Sequence, residues 1–227
     1  IHQLIKYSAC TFTSSDAFRK YFPKKYEKKI YTVHNILVDS LSHRDYNKVK
    51  SEKIRLAFWG QIRHEEINKK LIDRVGNDRR IELHYYGREQ NIALNLKKYV
   101  GEKMFDNVFF HGEYVPEDRY EFVKKTDIIH NIYCDGNMLL AMGNKYYDGL
   151  IFRLPQVCMV GSFMAELCEE NGIGCMLSPD DVDFSNKLVA YYKSLDMESF
   201  KNNADKALAK VLAEYESASK ILKNQFA

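Results

Sequence analysis

The sequence predicts an α/β fold built on a parallel sheet of six strands that is flanked by helices. From position 54 onward, short apolar runs alternate with amphipathic stretches, which is the order of β–α–β units in a parallel sheet. The runs are apolar on both of their alternating faces, as is typical of strands that helices cover on both sides. The 227 residues, 45% of them hydrophobic, suffice for one large domain, alone or with a small appendage.

Six short apolar runs are the predicted strands. In chain order they occupy residues 54–59, 81–86, 107–111, 127–132, 156–160 and 173–177. The amphipathic stretches are the predicted helices, and the first five occupy 64–75, 90–100, 116–125, 144–152 and 162–170. A further helix starts within 178–195. A long one, broken at most once, covers 198–226.

Local signals support individual helices. In 64–75, apolar residues recur at close to the helical period. Pro116 occupies the first position of its helix and is followed by two acidic residues, which favour a helix start. Asn171 and Gly172 come directly after a predicted helix, as a C-cap does.

The first 53 residues are organised differently. Residues 1–35 resemble another β–α–β unit, with an apolar run, a Ser-Ser-Asp helix cap, a short helix that ends before Pro23 and a second strand. Residues 36–53 are polar and lack periodicity, as in a linker. We therefore divide the chain into 1–53 and 54–227. Since it starts at Ile1 within a structured unit, we expect a fragment of a longer protein.

Composition excludes several functional classes. The 34 Lys and Arg against 31 Asp and Glu give a net charge of +3, far from the clustered basic charge that nucleic-acid binding needs. No apolar stretch is long enough to span a membrane, and the N-terminus lacks the layout of a signal peptide. We expect a cytoplasmic protein.

The cysteines and histidines give no sign of a metal site. Five cysteines are odd in number and irregularly spaced, which favours reduced thiols, mostly buried: Cys10, Cys134, Cys158, Cys168 and Cys175. No cluster of His, Cys or carboxylates has metal-ligand spacing, so we expect no bound metal. Three histidines within strand runs favour core or edge positions over catalysis: His84, His111 and His130.

The richest candidate site is the segment 138–155, which leaves a strand and opens a helix near Gly143. The helix N-terminus and Lys145 together favour an anion such as a diphosphate. Asp148 lies one turn beyond Asn144 and can accept two hydrogen bonds from a ribose diol. The alternative is that Asn144 merely caps the helix while Lys145 and Asp148 form a solvated surface pair. No GxGxxG or P-loop follows any strand.

Four pieces of sequence, in this order, carry a resemblance: FWGQIR, IELHYYGRE, NVFFHGEYVPEDRYEFVKKTDIIHN and NKYYDGLIFRLPQVCMV. Over about residues 54–220 the chain resembles the Rossmann-like C-terminal, donor-binding domain of GT-B glycosyltransferases. The similarity is to bacterial family 4-like enzymes of capsular and other surface polysaccharide synthesis. The resemblance implies that residues 1–35 are the last β–α unit of an N-terminal acceptor domain, most of which is missing.

The resemblance also implies roles for individual residues. Asp148 occupies the position of the acidic residue that binds the ribose of the sugar nucleotide. The diphosphate is implied to lie at Gly143, Asn144 and Lys145, and the base at the backbone of Gly112, Glu113, Tyr114 and Val115. Many family members carry an Arg directly after the first-strand glycine and a Lys five residues later. In this chain the glycine is Gly60, and those two positions hold Gln61 and Glu66. Arg63 can substitute for one of these cations, and Leu140 stands where some members have a donor-sugar Glu.

The expected activity is transfer of a hexose from a nucleotide-diphosphate sugar, preferably a UDP-sugar, to a surface-polysaccharide or lipid-linked glycan. No further cofactor or metal is expected. Helix N–H groups, Lys145 and Arg63 would stabilise the leaving diphosphate, whereas the acceptor and any general base would come from the missing N-terminal domain, which leaves the fragment inactive by itself. Two alternatives remain: a sugar-nucleotide epimerase, which needs carboxylates and histidines converging in the cleft, and a degenerate domain that binds a nucleotide or a partner without transfer.

Two further features are weaker candidates. His64 and Glu65 follow the first strand where a donor would pass, but first-turn residues are usually only solvated. The segment 19–29 contains six basic and three aromatic residues and could lie against anionic lipid or an anionic acceptor carrier. The alternative is a solvated face.

Overall fold

The structure, a computed structural model, describes residues 2–133 and 136–226. Its strands are β1 (Thr11–Thr13), β2 (Ile30–Thr32), β3 (Ile54–Trp59), β4 (Ile81–Tyr86), β5 (Val108–Phe110), β6 (Ile128–Asn131), β7 (Gln156–Met159) and β8 (Gly174–Leu177). Its α-helices are α1 (His2–Tyr7), α2 (Glu65–Val75), α3 (Asn91–Glu102), α4 (Arg119–Phe122), α5 (Asn144–Ile151), α6 (Phe163–Glu170), α7 (Phe184–Ser194) and α8 (Met197–Phe226).

The predicted six-stranded parallel sheet is confirmed. Its strand order is β5-β4-β3-β6-β7-β8, and every neighbouring pair is parallel. From β3 the chain proceeds through β4 to β5 at one edge of the sheet. It then returns to place β6 on the other side of β3, followed by β7 and β8. Ligands of such sheets bind outside the carboxyl ends of the strands where the order reverses, which here is the crevice between β3 and β6.

The predicted elements differ from the observed ones mainly at their ends. β3 and β4 have the predicted bounds, and the other four strands are shorter by one residue at one or both ends. The stretch 116–125 is a single turn of α-helix, α4, between two 3-10 turns. The terminal helix α8 runs unbroken over its 30 residues.

The centre of the sheet contains one buried ion pair within an otherwise apolar strand. All six residues of β3 are buried, including Arg55, whose Nε and Nη2 donate to the Asp127 carboxylate at 2.9 and 3.1 Å. Asp127 also accepts from the Arg55 backbone N–H at 2.9 Å. Such a pair fixes the register of neighbouring chain segments, because breaking it leaves an uncompensated buried charge.

The N-terminal residues form the expected small unit, with one difference. β1 and β2 are parallel neighbours, but the connection consists of two 3-10 helices, Asp16–Tyr21 and Lys24–Lys29, instead of an α-helix. Ser15 caps the first by accepting from the Ala17 N–H. Neither 3-10 helix has a buried residue, so no apolar face stabilises a longer α-helix.

The polar segment 36–53 packs against the large sheet, although it lacks periodicity. It contains a 3-10 helix, Val38–His43, and Tyr46 donates its hydroxyl to the Phe152 carbonyl at 2.8 Å. Just before it, His34 bridges Tyr147 Oη and Glu214 Oε2 at 3.0 and 2.6 Å. Polar contacts of His34 and of this segment thus join the chain before β3 to α5, to the residue after α5 and to α8 without an amphipathic pattern.

Candidate functional site

A cleft of about 420 Å³ opens at the carboxyl ends of the strands, at the crevice between β3 and β6. Its lining comes from the turns after β3, β5 and β6, from α4 and α5, and from the segment 36–53: Leu37, Phe58, Trp59, Gly60, Gln61, Arg63, His64, Tyr114, Pro116, Arg119, Tyr133, Met138, Gly143, Asn144, Lys145 and Asp148. This volume falls in the range of small-molecule sites. Of the residues predicted to bind the diphosphate, the ribose and the base, Gly112, Glu113 and Val115 do not line the cleft, and the others do.

The N-terminus of α5 forms one wall of the cleft. Gly143 is its N-cap and has no side chain to cap the helix, while the N–H groups of Asn144 and Lys145 are the unsatisfied first-turn donors of the helix. A Cβ on Gly143 would lie 2.0 Å from Tyr133 Oη, so glycine is required here for packing against Tyr133. Asn144 accepts from Asn35 Nδ2 at 2.7 Å and does not cap the helix, so the capping alternative is wrong.

Lys145 extends between two aromatic rings into the cleft. Its Nζ lies 4.2 Å from the centroid of Phe58 and 4.6 Å from that of Tyr133. Among the described residues it has no hydrogen bond and no carboxylate partner. Burial lowers the pKa of Lys145 to about 8, Asp148 counteracts this, and Arg63 lowers it further. The ammonium group is therefore desolvated and packs against two aromatic faces, and no carboxylate in the described part of the chain pairs with it.

Asp148 is paired with a residue that sequence reasoning missed. Its Oδ1 accepts from Arg119 Nη1 at 2.6 Å, and both residues are only 5% exposed. Burial raises the pKa of Asp148 to about 6, against the opposing effects of Arg119 and Lys145. The alternative of a solvated surface pair of Lys145 and Asp148 is therefore wrong, because the carboxylate is buried and its hydrogen-bond partner is Arg119.

Arg119 connects three parts of the cleft. Besides Asp148 it donates to the Pro116 carbonyl at 2.8 Å and to Ser40 Oγ at 3.3 Å. It thus joins the turn after β5, helix α5 and the segment 36–53. Its position in a short, charged helix is typical of a surface arginine, so no local signal in the sequence distinguishes it.

The turn after β3 forms the rim of the cleft. Arg63 is exposed, and its Nη2 and Nε donate to Gln61 Oε1 at 2.6 and 3.1 Å. His64 lines the cleft in a left-handed conformation, with φ of 60°. Glu65 instead accepts from Lys69 at 2.7 Å, and Glu66, with its side chain 81% exposed, also pairs with Lys69. Neither glutamate lines the cleft.

The loop after β5 is only partly in the cleft. Gly112 adopts φ of 83° and its carbonyl accepts from the Gly87 N–H at 2.8 Å. The Val115 N–H already donates to Asp118 Oδ2 at 2.9 Å, which removes it from the backbone donors implied for a base. Tyr114 lines the cleft and also an adjoining pocket of about 360 Å³. Glu113 lines only the adjoining pocket. Leu140 lies in a 3-10 helix and lines neither.

The other candidates lie elsewhere. His84 Nδ1 and His111 Nε2 are hydrogen-bonded at 2.9 Å, and burial lowers the pKa of His84 to about 4 and that of buried His130 to about 3. These rings are therefore neutral at pH 7. Four cysteines are free thiols: Cys10, Cys158, Cys168 and Cys175. Cys134 lies outside the described residues.

The described residues contain neither a metal-ligand cluster nor a helix that could span a membrane. No group of three or more His, Cys, Asp or Glu side chains in this part of the chain could hold a metal ion. Likewise, none of the described helices is both long and apolar enough to cross a membrane.

The fold is similar to that of several solved structures. Anabaena Alr3699/HepE in complex with UDP and glucose matches with a TM-score of 0.70 at 12% identity, over 96% of this chain and 64% of that one. A glycosyltransferase from Rickettsia africae ESF-5 matches with a TM-score of 0.73 at 13% identity, over 99% and 67%. Sucrose-phosphate synthase from Thermosynechococcus elongatus matches with 0.71 at 11%, over 99% and 60%.

These similarities establish the architecture. The chain has a GT-B glycosyltransferase-like fold, with the Rossmann-like sheet expected from the sequence resemblance. It spans about two thirds or less of the length of these structures. No family profile matches the sequence, and no curated protein matches it either.

Proposed function

We propose that this chain binds the nucleotide-sugar donor of a glycosyltransferase, with a UDP-sugar as the preferred donor. The observation that carries the proposal is Lys145, an ammonium at a helix N-terminus that no described carboxylate pairs with, in a cleft at the carboxyl ends of parallel strands. A diphosphate supplies the missing charge and accepts from the free N–H groups of the same helix. Anabaena Alr3699/HepE, which shares the fold, was solved with UDP-glucose.

In this proposal Asp148 binds the ribose. Arg119 occupies Oδ1, and no described residue donates to Oδ2, which leaves an acceptor for a ribose hydroxyl. The base would lie toward Tyr114 and the adjoining pocket, contacting backbone atoms of Gly112 to Tyr114. Val115 contributes no N–H, because Asp118 already accepts it.

The proposed chemistry is electrostatic. Negative charge accumulates on the leaving diphosphate as the glycosidic bond breaks, and Lys145, Arg63 and the α5 N–H groups stabilise it without a metal or other cofactor. Each donor that is aimed at developing charge contributes roughly 2 to 4 kcal/mol in other enzymes. Gln61 positions Arg63 through two hydrogen bonds, and the neighbouring Gly60 has φ of 132°, a backbone conformation that favours glycine.

The finer proposals concern the whole enzyme. Residues 1–53 would belong to an acceptor-binding N-terminal domain, which supplies the acceptor site and any general base across a cleft that closes by hinge motion. The transferred group would be a hexose and the acceptor a capsular, surface or lipid-linked glycan, in the bacterial cytoplasm. The basic segment 19–29 would allow peripheral contact with the membrane.

Calorimetric titration of this chain with UDP, GDP, UDP-glucose and UDP-galactose tests donor binding. Lys145→Ala and Asp148→Asn should each weaken binding about tenfold or more, whereas Lys193→Ala, an exposed lysine of α7 outside the cleft, should leave it unchanged. Absence of binding to all four ligands by folded protein, or equal effects of the three variants, would reject the proposal.

A second candidate is a domain that binds the nucleotide but transfers nothing. It is favoured by Glu66, which stands where the resembled family has a phosphate-binding lysine and instead pairs with Lys69. The epimerase alternative has less support, since the cleft within the described residues contains one carboxylate, Asp148, and one imidazole, His64. Donor hydrolysis by the chain together with its N-terminal domain, and its loss in Lys145→Ala, distinguishes transfer from binding alone.

A further inference from the structure

A second cavity, of about 410 Å³, lies between the segment 36–53, the end of α5 and α8. Residues 44–48, Phe152, Arg153, Met197 and Lys201 line it. The two cavities have no lining residue in common.

Two arginines that line this cavity, which we call the basic cavity, share one carboxylate outside its lining. Asp205 accepts from Arg44 Nη2 at 2.5 Å and from Arg153 Nε and Nη2 at 2.9 Å each. One negative charge thus faces two guanidinium groups. Asp45, whose side chain is 91% exposed, approaches Arg153 only at 3.3 Å, in a position where solvent screens the interaction.

The arrangement is repeated with a second shared carboxylate. Asp127 accepts from Lys48 Nζ at 3.0 Å and also forms the buried pair with Arg55. Lys48 therefore has ammonium protons to spare, since an ammonium has three. Burial lowers the pKa of Lys48, and Lys201 nearby lowers it further.

Two donors of the cavity are unused. Arg44 Nε is buried and has no hydrogen-bond partner among the residues that the structure describes, and an unsatisfied buried donor is costly. Lys201 has neither an ion pair nor a hydrogen bond within the described part of the chain. The cavity therefore combines excess positive charge with donors that lack acceptors, next to apolar surface from Tyr46, Phe152 and Met197.

We propose that this basic cavity binds a phosphate monoester. A phosphate monoester carries between −1.5 and −2 charges at about pH 7 and has three strong acceptor oxygens, which complements the surplus cations. Its oxygens accept from Lys201, Lys48 and Arg44, while the esterified group lies against the apolar side. The phosphate belongs either to a soluble metabolite or to a lipid headgroup, and both offer the same chemistry to the cavity.

The test keeps the donor cleft occupied and measures the second site separately. The chain is saturated with UDP and titrated by calorimetry with sn-glycerol 3-phosphate, and in parallel mixed with vesicles of phosphatidylcholine with or without phosphatidic acid. Lys201→Ala should weaken binding about tenfold, as loss of a charge-assisted hydrogen bond does. Lys206→Ala, an exposed lysine of the same helix outside the cavity, is the matched control.

Each outcome decides. Saturable binding of glycerol phosphate that Lys201→Ala weakens supports the site and assigns a soluble ester. Binding only to vesicles with phosphatidic acid, again weakened by Lys201→Ala, supports the site and assigns a headgroup. Failure of both ligands to bind, an equal loss in Lys206→Ala, or displacement of glycerol phosphate by UDP overturns the proposal. UDP binding itself does not depend on Lys201, so the donor proposal stands or falls separately.

Discussion

The lowered pKa of Lys145 makes donor binding sensitive to alkaline pH. A lysine at its ordinary pKa keeps most of its charge at pH 9.5, but with a pKa of about 8 Lys145 is about nine-tenths charged at pH 7 and only about a thirtieth at pH 9.5. Only the charged form, which exists below the pKa, pairs with a diphosphate. UDP affinity should therefore fall as pH rises through 8, by about 10- to 30-fold between pH 7 and 9.5, because a charge-assisted hydrogen bond contributes about 1.5 to 3 kcal/mol.

Calorimetry at several pH values measures this dependence, and it also counts protons. At pH 8 to 9 the bound diphosphate should raise the pKa of Lys145, so binding should take up a fraction of a proton, visible as a heat that varies with the buffer. Lys145→Arg is the control, since its guanidinium stays charged throughout and it retains only the pH dependence of UDP itself. If wild type and Lys145→Arg have the same pH profile, the ammonium does not contact the diphosphate.

Two substitutions, at Gly143 and Arg119, probe the supports of the cleft, and a third, at Asp127, probes the buried ion pair of the sheet. Gly143→Ala should weaken UDP binding, because its Cβ would clash with Tyr133 Oη. Adding Tyr133→Phe should restore part of the affinity, since the next nearest atom, Cζ of the same ring, lies 3.3 Å from that Cβ. Titration of both variants with UDP checks this. Arg119→Leu leaves Asp148 buried without its partner, so urea denaturation should show a loss of about 3 to 5 kcal/mol. Burial raises the pKa of Asp127, but its hydrogen bonds and the neighbouring cations lower it by more. Asp127→Asn should therefore destabilise the protein above about pH 4. As the pH falls further, the urea midpoint of the variant should converge with that of the wild type.

The central sheet was predictable because its strands are coded by local composition. β3 and β4 are six-residue apolar runs with polar boundaries, and their observed bounds equal the predicted ones. The N-terminal connection was predicted less well. A cap and a proline correctly bound its first helix, but whether that helix is α or 3-10 depends on an apolar face that this stretch does not bury.

The segment 36–53 shows what periodicity cannot detect. A linker and a packed segment without regular structure look alike in sequence, since neither has a hydrophobic period. Here the packing comes from single contacts to distant residues, such as Tyr46 to the Phe152 carbonyl and Ser40 to Arg119. Each partner is far along the chain, so the sequence around Tyr46 or Ser40 contains no sign of it.

The same reason explains which part of the candidate site sequence reasoning found. The helix start at Gly143 and the spacing from Lys145 to Asp148 are local, and both are visible in eight residues of sequence. The charge states of these groups depend on residues that are distant in sequence. Burial in the cleft raises the pKa of Asp148, and Arg119, 29 residues away, opposes that shift. The rings of Phe58 and Tyr133 desolvate Lys145. Composition around α5 therefore indicates an anion site, while the tertiary fold determines that no described carboxylate pairs with its lysine and that its aspartate keeps one oxygen for a ligand. For this reason the donor proposal depends on the surroundings of Lys145 in the folded cleft more than on any motif.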